Sequence, residues 1–183
     1  MTGTRPRTRL LGAAVGVALL MLVAYRTVGL LTVVTPSMQP ELRVGDRVLV
    51  NKLVPELVPL RRGDVAVFED PGGWARASAR SRGEIAADAL IVKRVIGVGG
   101  DHVVCCSADG ALILNGTPLK EPYVAGNARR TMPLAFDVTV PDGRYWMMGD
   151  DRARSFDSGG FADAPGHGFV PAERIVGRVE ATL

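Results

Sequence analysis

With 183 residues, a hydrophobic fraction of 47% and a net charge of +3, the chain has material for one domain of about 150 residues with a substantial core. Four of its arginines, Arg5, Arg7, Arg9 and Arg26, belong to or flank one apolar segment. What remains is close to neutral, which argues against a nucleic-acid-binding role.

Leu10–Tyr25 contains no charge and, apart from Tyr25, only small or apolar residues. As a helix its 16 residues reach roughly 24 Å, short of the roughly 30 Å hydrocarbon core. Continuation through Thr27-Val28-Gly29-Leu30-Leu31, with Arg26 snorkelling, would make it adequate. Arginines precede it and the first acidic residue is Glu41, so the positive-inside rule places the N-terminus in the cytoplasm. The predicted division is a cytoplasmic N-terminus at 1–9, a transmembrane anchor at 10–31 and an extracytoplasmic β-rich domain at 32–183. The competing reading, a cleaved secretory signal, needs small residues before the cut, and Thr27-Val28-Gly29 serves poorly.

Beyond the anchor the pattern turns to strands. Gly45-Asp46 and Gly63-Asp64 each read as a turn followed by a strand, over 47–52 and 65–68. Residues 70–88 are rich in Gly, Ala and Arg without a clean period. They read as a mobile surface loop, either a solvated insertion or a membrane contact through Trp74 and its arginines. Leu90–Val98 is the strongest strand. Ala108-Asp109-Gly110 joins Val103–Cys106 to Ala111–Leu114 as a hairpin, Arg144–Met148 is another strand, and Ile175–Val179 is the last. Helical periodicity is scarce, so the soluble part is mainly β. Cys105 and Cys106 are adjacent, which leaves two readings open: a strained vicinal disulfide in an oxidising exterior, or a reduced, partly buried pair. Two histidines and two neighbouring cysteines make no zinc spacing, so no metal and no cofactor are expected.

Two residues carry the chemistry. Three of the 22 basic residues are lysines, Lys52, Lys93 and Lys120; elsewhere a positive charge is written as Arg. A lysine kept inside the apolar run Ile91-Val92-Lys93-Arg94-Val95-Ile96 is therefore notable, because lysine can lose its proton at accessible cost and arginine cannot. On a strand it shares a face with Ile91 and Val95, a setting that disfavours the ammonium. A serine needs a base to act as a nucleophile, and Ser37 stands in Thr35-Pro36-Ser37-Met38-Gln39-Pro40. Serine with neutral lysine is one variant of the serine-triad logic.

Four blocks in order resemble the bacterial type I signal peptidases of the Ser–Lys kind: Thr35–Pro40, Gly45–Lys52, Val92–Gly97 with Gly100-Asp101, and Met148–Arg152 with Ser155, Asp157 and Ser158. The resemblance runs from about Leu31 to Ala181. It implies a coiled antiparallel β-sheet domain of the signal-peptidase type, with Ser37 as nucleophile and Lys93 as general base. It also implies that the Ser37 N–H and the Thr35 hydroxyl hold the oxyanion, that Ser155 positions the lysine amine, and that Asp157 is a structural carboxylate near the site. Pro36 has no N–H to offer. Val33, Met38, Ile91 and Val92 become the expected walls of a small-residue pocket, with Leu31 a further one, and a peptide would bind as an added strand. Expected partners are preprotein signal peptides and membrane lipid, not nucleic acid, and the expected oligomeric state is a monomer. Three positions depart from the family pattern. Glu41 replaces Thr, Asp151 replaces Asn, and Gly159 replaces the arginine that pairs with the aspartate, leaving Arg152 or Arg154 to partner Asp157 if anything does. Other readings are a related peptidase maturing one pilin-type substrate, an anchored β-domain that binds exported peptides without cutting, and a serine–histidine mechanism through His102 or His167.

Overall fold

The computed structural model of the chain describes residues 12–18, 21, 26–81, 90–124 and 135–183. Among the described residues, eleven strands form two antiparallel sheets. They are β1 (Val28–Thr32), β2 (Arg47–Asn51), β3 (Val65–Glu69), β4 (Leu90–Val98), β5 (His102–Cys105), β6 (Leu112–Leu114), β7 (Thr117–Pro118), β8 (Phe136–Thr139), β9 (Arg144–Met148), β10 (Phe169–Pro171) and β11 (Ile175–Thr182). The larger sheet has the order β1-β2-β11-β3-β4-β9-β10 and the smaller β7-β6-β5-β8.

The two Gly-Asp turns are built alike. Asp46 Oδ2 accepts the Arg43 N–H at 2.7 Å, and Asp64 Oδ2 accepts the Arg61 N–H at 2.8 Å. The glycine before each aspartate has a positive φ, 97° at Gly45 and 90° at Gly63, a conformation glycine adopts at little steric cost. The first feeds β2, which buries alternate residues, and the second feeds β3, which buries Ala66 and Phe68 on one face and Val67 on the other. Three clusters result. One contains Phe68, Trp74, Ile91, Val95 and Met147. A second contains Ile96, Val103, Leu112, Phe136, Trp146 and Met148 and joins the two sheets. The third gathers Val33, Met38, Leu42, Val48, Val50 and Val67 beneath the serine block.

The segment expected to be a mobile loop is in part ordered core. Trp74–Ser81 is a helix, α1, whose N-terminal amides, from Trp74 and Ala75, bond the Asp70 carboxylate at 2.9 and 3.0 Å. Trp74 is 2% exposed, stacked on Phe161 with 5.4 Å between centroids and edge-on to Phe68 at 5.8 Å. It is a core residue and has no face to offer a membrane. Residues 82–88 of that segment lie outside the described residues.

The anchor expected at 10–31 also falls largely outside them. Residues 12–18 and Met21 are helical, as are Arg26 and Thr27, and among the described residues no helix is long and apolar enough to cross a membrane. Its predicted end is corrected. The helix does not run on to Leu31, because Val28–Thr32 pairs in register with β2, Val28 opposite Asn51 and Thr32 opposite Arg47. The edge of β2 supplies a ladder of backbone partners, and Val28, Gly29 and Thr32 are all weak helix formers. The adjacent cysteines are joined as a vicinal disulfide at the end of β5.

Candidate active site

Pro36–Met38 forms a 3₁₀ turn with Pro at its start, where a missing N–H costs nothing. The turn buries Ser37 and Met38, 4% and 1% exposed. Strand β4 is central in the larger sheet, between β3 and β9. Lys93 there pairs with Ala66 and is 4% exposed. The Lys93 amine and the Ser37 hydroxyl are 2.6 Å apart, although 56 residues separate them in sequence. The Thr35 hydroxyl lies 3.3 Å from Ser37 Oγ. Burial is the main influence on Lys93 and lowers its pKa to about 8, against the opposing pull of the Asp157 and Asp150 charges.

The turn after β9 closes the site from behind. The Asp151 N–H donates to the Ser37 carbonyl at 3.0 Å, and the Gly149 N–H donates to Asp157 Oδ2 at 3.0 Å. Residue 149 must be glycine, since a Cβ there would collide with the Ser155 hydroxyl and the Ser37 carbonyl. On the next residue of the strand, Arg94 grips Asp150 with two bonds of 2.8 and 2.6 Å and the Gly63 carbonyl with a third of 2.8 Å.

A family model described as "Signal peptidase, peptidase S26" matches residues 7–183. The chain belongs to that family. Signal peptidase I of Mycobacterium tuberculosis (strain CDC 1551 / Oshkosh) is 37% identical over 177 residues, covering 78% of this chain and 60% of that protein. Signal peptidase I of Bacillus amyloliquefaciens is 31% identical over 170 residues, covering 89% and 77%. A crystal structure of a signal peptidase I from Enterococcus faecalis V583 superposes with a TM-score of 0.46 at 29% identity, covering 66% of this chain and 97% of that one. The chain spans 60% of the length of the Mycobacterium tuberculosis relative.

Against the signal-peptidase pattern, the structure brings Ser37, Lys93 and Thr35 together and leaves two expected contacts unmade. Among the described residues the buried Ser155 hydroxyl has no hydrogen-bond partner, so it does not bond the Lys93 amine. Asp157 takes neither Arg152 nor Arg154. Its second oxygen accepts the Gly159 N–H at 3.1 Å, so a backbone amide does the holding in a space where a Cβ would stand 3.0 Å from the Phe136 ring. Arg154 goes instead to Asp151. Of the expected pocket walls, Val33 and Met38 share one cluster, with Val92 and Leu31 packed against it. Ile91, one position along β4 and therefore on the other face, belongs to the cluster around Phe68 and Trp74.

Sequence reasoning missed the buried charges near Ser37 and Lys93: Arg94, Asp150, Glu121 and Arg152. The signal for the first was present, because Arg94 sits in the same apolar run as Lys93 and an arginine there requires a carboxylate partner.

Proposed function

We propose that this chain is a membrane-anchored serine endopeptidase that removes signal peptides from exported preproteins at the outer face of the cytoplasmic membrane. The observation that carries the reading is the 2.6 Å contact between a buried serine hydroxyl and a buried lysine amine. While Lys93 is an ammonium it donates to Ser37. Once neutral it accepts the serine proton, and the freed Oγ attacks the scissile carbonyl. The Ser37 N–H and the Thr35 hydroxyl then hold the oxyanion. The lysine passes its proton to the departing amine, and a water activated by the same base releases the acyl group. Val33, Met38 and Val92 form an apolar wall beside the serine that suits a small side chain and excludes a large one.

Anchoring is supported by the arginines ahead of Leu10 and by the apolar side chains Val15, Val17 and Met21, which stand exposed at 57%, 51% and 68%. On this topology residues 32–183 face the exterior, and the protein acts as a monomer. The histidine alternative has no geometry behind it: His102 pairs with Asp137 at 2.6 Å on the exposed surface of the smaller sheet. Detergent-solubilised protein incubated with a preprotein bearing an Ala-x-Ala site should cut after the second Ala, and Ser37→Ala should abolish the product. Near-normal turnover by Ser37→Ala would remove the nucleophile assignment. Efficient cutting after Phe or Lys would remove the pocket while leaving the dyad.

A further inference from the structure

One acidic and one basic side chain that the proposed chemistry does not use are buried alongside it. Glu121 is 1% exposed and Arg152 4%. Arg152 Nη2 donates to Glu121 Oε1, and Nη1 reaches Oε2 at 3.4 Å. The Tyr123 hydroxyl donates to Glu121 Oε1 at 3.2 Å, and its ring lies 4.1 Å from the Arg94 guanidinium. Burial above all, and then the Glu121 charge, hold the Tyr123 phenol well above its ordinary value, so it remains a donor.

A pair this dry is a poor device for stability, since apolar residues of the same size do as well or better. It does fix one arrangement. Arg152 Nε donates to the Gly149 carbonyl at 2.9 Å, which orients the start of the turn after β9. From that turn the Asp151 N–H holds the Ser37 carbonyl at 3.0 Å, and the Gly149 N–H holds Asp157. Glu121 and Tyr123 come from the stretch that follows β7, at the far edge of the smaller sheet. The contacts thus run from the smaller sheet, through one guanidinium, to the backbone of the nucleophile.

We propose that Glu121 and Tyr123 are positioning residues for the peptidase reaction, locking Arg152 and through it the Gly149–Asp151 turn that sets the Ser37 backbone. The proposal rests on the Ser37–Lys93 reading. The clamped atoms lie behind Ser37 and not along the apolar wall, so its loss should fall on turnover and not on substrate binding. Glu121→Gln keeps the volume and removes the charge. Misplacing a reacting atom by an ångström costs on the order of 100-fold, and that is the expected fall in kcat, with KM within about threefold of wild type. Tyr123→Phe, which keeps the ring over Arg94, should lose less in the same direction.

Kinetics on the Ala-x-Ala preprotein, at a temperature where circular dichroism shows each variant folded, test this. A kcat loss at near-constant KM supports the clamp. It is overturned by a folded Glu121→Gln with wild-type kcat, by a loss confined to KM, or by lost activity that matches an unfolded fraction. If Glu121→Gln does not fold, Tyr123→Phe decides: reduced kcat at constant KM supports the clamp, and wild-type kcat overturns it. Lys93→Arg in the same assay keeps the two readings apart. An active Lys93→Arg enzyme overturns the Ser–Lys reading, whereas a fully active Glu121→Gln overturns the clamp alone.

Discussion

Lys93 and Arg94 are consecutive on β4, both buried, and their side chains leave the strand on opposite faces into opposite surroundings. Arg94 enters a site built for a permanent cation: the Asp150 carboxylate in bidentate contact, the Gly63 carbonyl and the Tyr123 ring. Lys93 meets a neutral hydroxyl, with Asp157 and Asp150 acting on it only through space. The guanidinium remains charged, its pKa raised by the Asp150 hydrogen bonds and charge in excess of what burial takes away. The amine is pushed down to about 8 by burial. One strand therefore holds a fixed charge and a removable one side by side, and the carboxylate partner decides which is which.

Exchanging the two cations tests that contrast most severely. Lys93→Arg retains the charge, but a guanidinium cannot deprotonate. Cleavage should fall by about 10⁴-fold, as far as in Lys93→Ala, since loss of a general base removes roughly that much. With Lys93 intact, the rate should drop tenfold per pH unit below about 8 as the amine protonates. Substantial activity in Lys93→Arg, or an acid limb that moves to histidine-like values and disappears in His102→Ala, would dissolve the distinction between the two sites.

The reverse exchange should injure the fold more than the chemistry. Arg94→Lys keeps a charge but loses the two-pronged grip on Asp150, and Asp150→Ala leaves the guanidinium buried without its partner. Breaking a buried pair from one side costs about 3–5 kcal/mol, so Asp150→Ala should lower the urea midpoint substantially at unchanged slope. Arg94→Lys should lie between it and wild type. If both variants match wild type in urea, Arg94 is not held as a fixed charge.

What the sequence could and could not reveal divides along the same strand. The Ser37–Lys93 pair was legible because its residue types are improbable where they stand: a lysine in a chain that mostly writes arginine, inside an apolar run, and a serine after Pro36. The apolar runs that named Val65–Phe68 and Leu90–Val98 as strands are local information, and so are the Gly-Asp turns. β1, β7, β8 and β10 were missed because short or edge strands are specified by the ladder they join. The residues at 74–81 were missed because Trp74 gains its core place from Phe68 and Phe161, and distant partners leave no mark on local periodicity. For the same reason the partners of Asp157 were missed. An arginine can be read from a sequence, whereas the amides of Gly149 and Gly159 have no letter of their own. Glu121 and Arg152, 31 residues apart, meet only once both sheets are formed.

The smallest predicted effect concerns the energetic consequence of giving Lys93 a neutral hydroxyl and no carboxylate in contact. Its folded pKa is depressed, from the ordinary 10.5 to about 8. Below about 8 both the folded and the unfolded chain bind this proton, and the folded state carries the full desolvation penalty. Between about 8 and 10.5 the unfolded chain binds more protons than the folded one, so stability rises with pH and the penalty fades. Its size is about 3 kcal/mol for a shift of this magnitude. Lys93→Met, similar in volume and uncharged, should therefore unfold at higher urea than wild type at pH 7, by up to about 3 kcal/mol. The advantage should shrink as pH climbs toward 10.5. At Arg94 the same replacement should be destabilising, because it strands the Asp150 carboxylate in the core. If Lys93→Met is no more stable than wild type at neutral pH, the amine is not desolvated in the free enzyme. Its deprotonation would then depend on bound substrate excluding water, and the contrast with Arg94 would exist only during turnover.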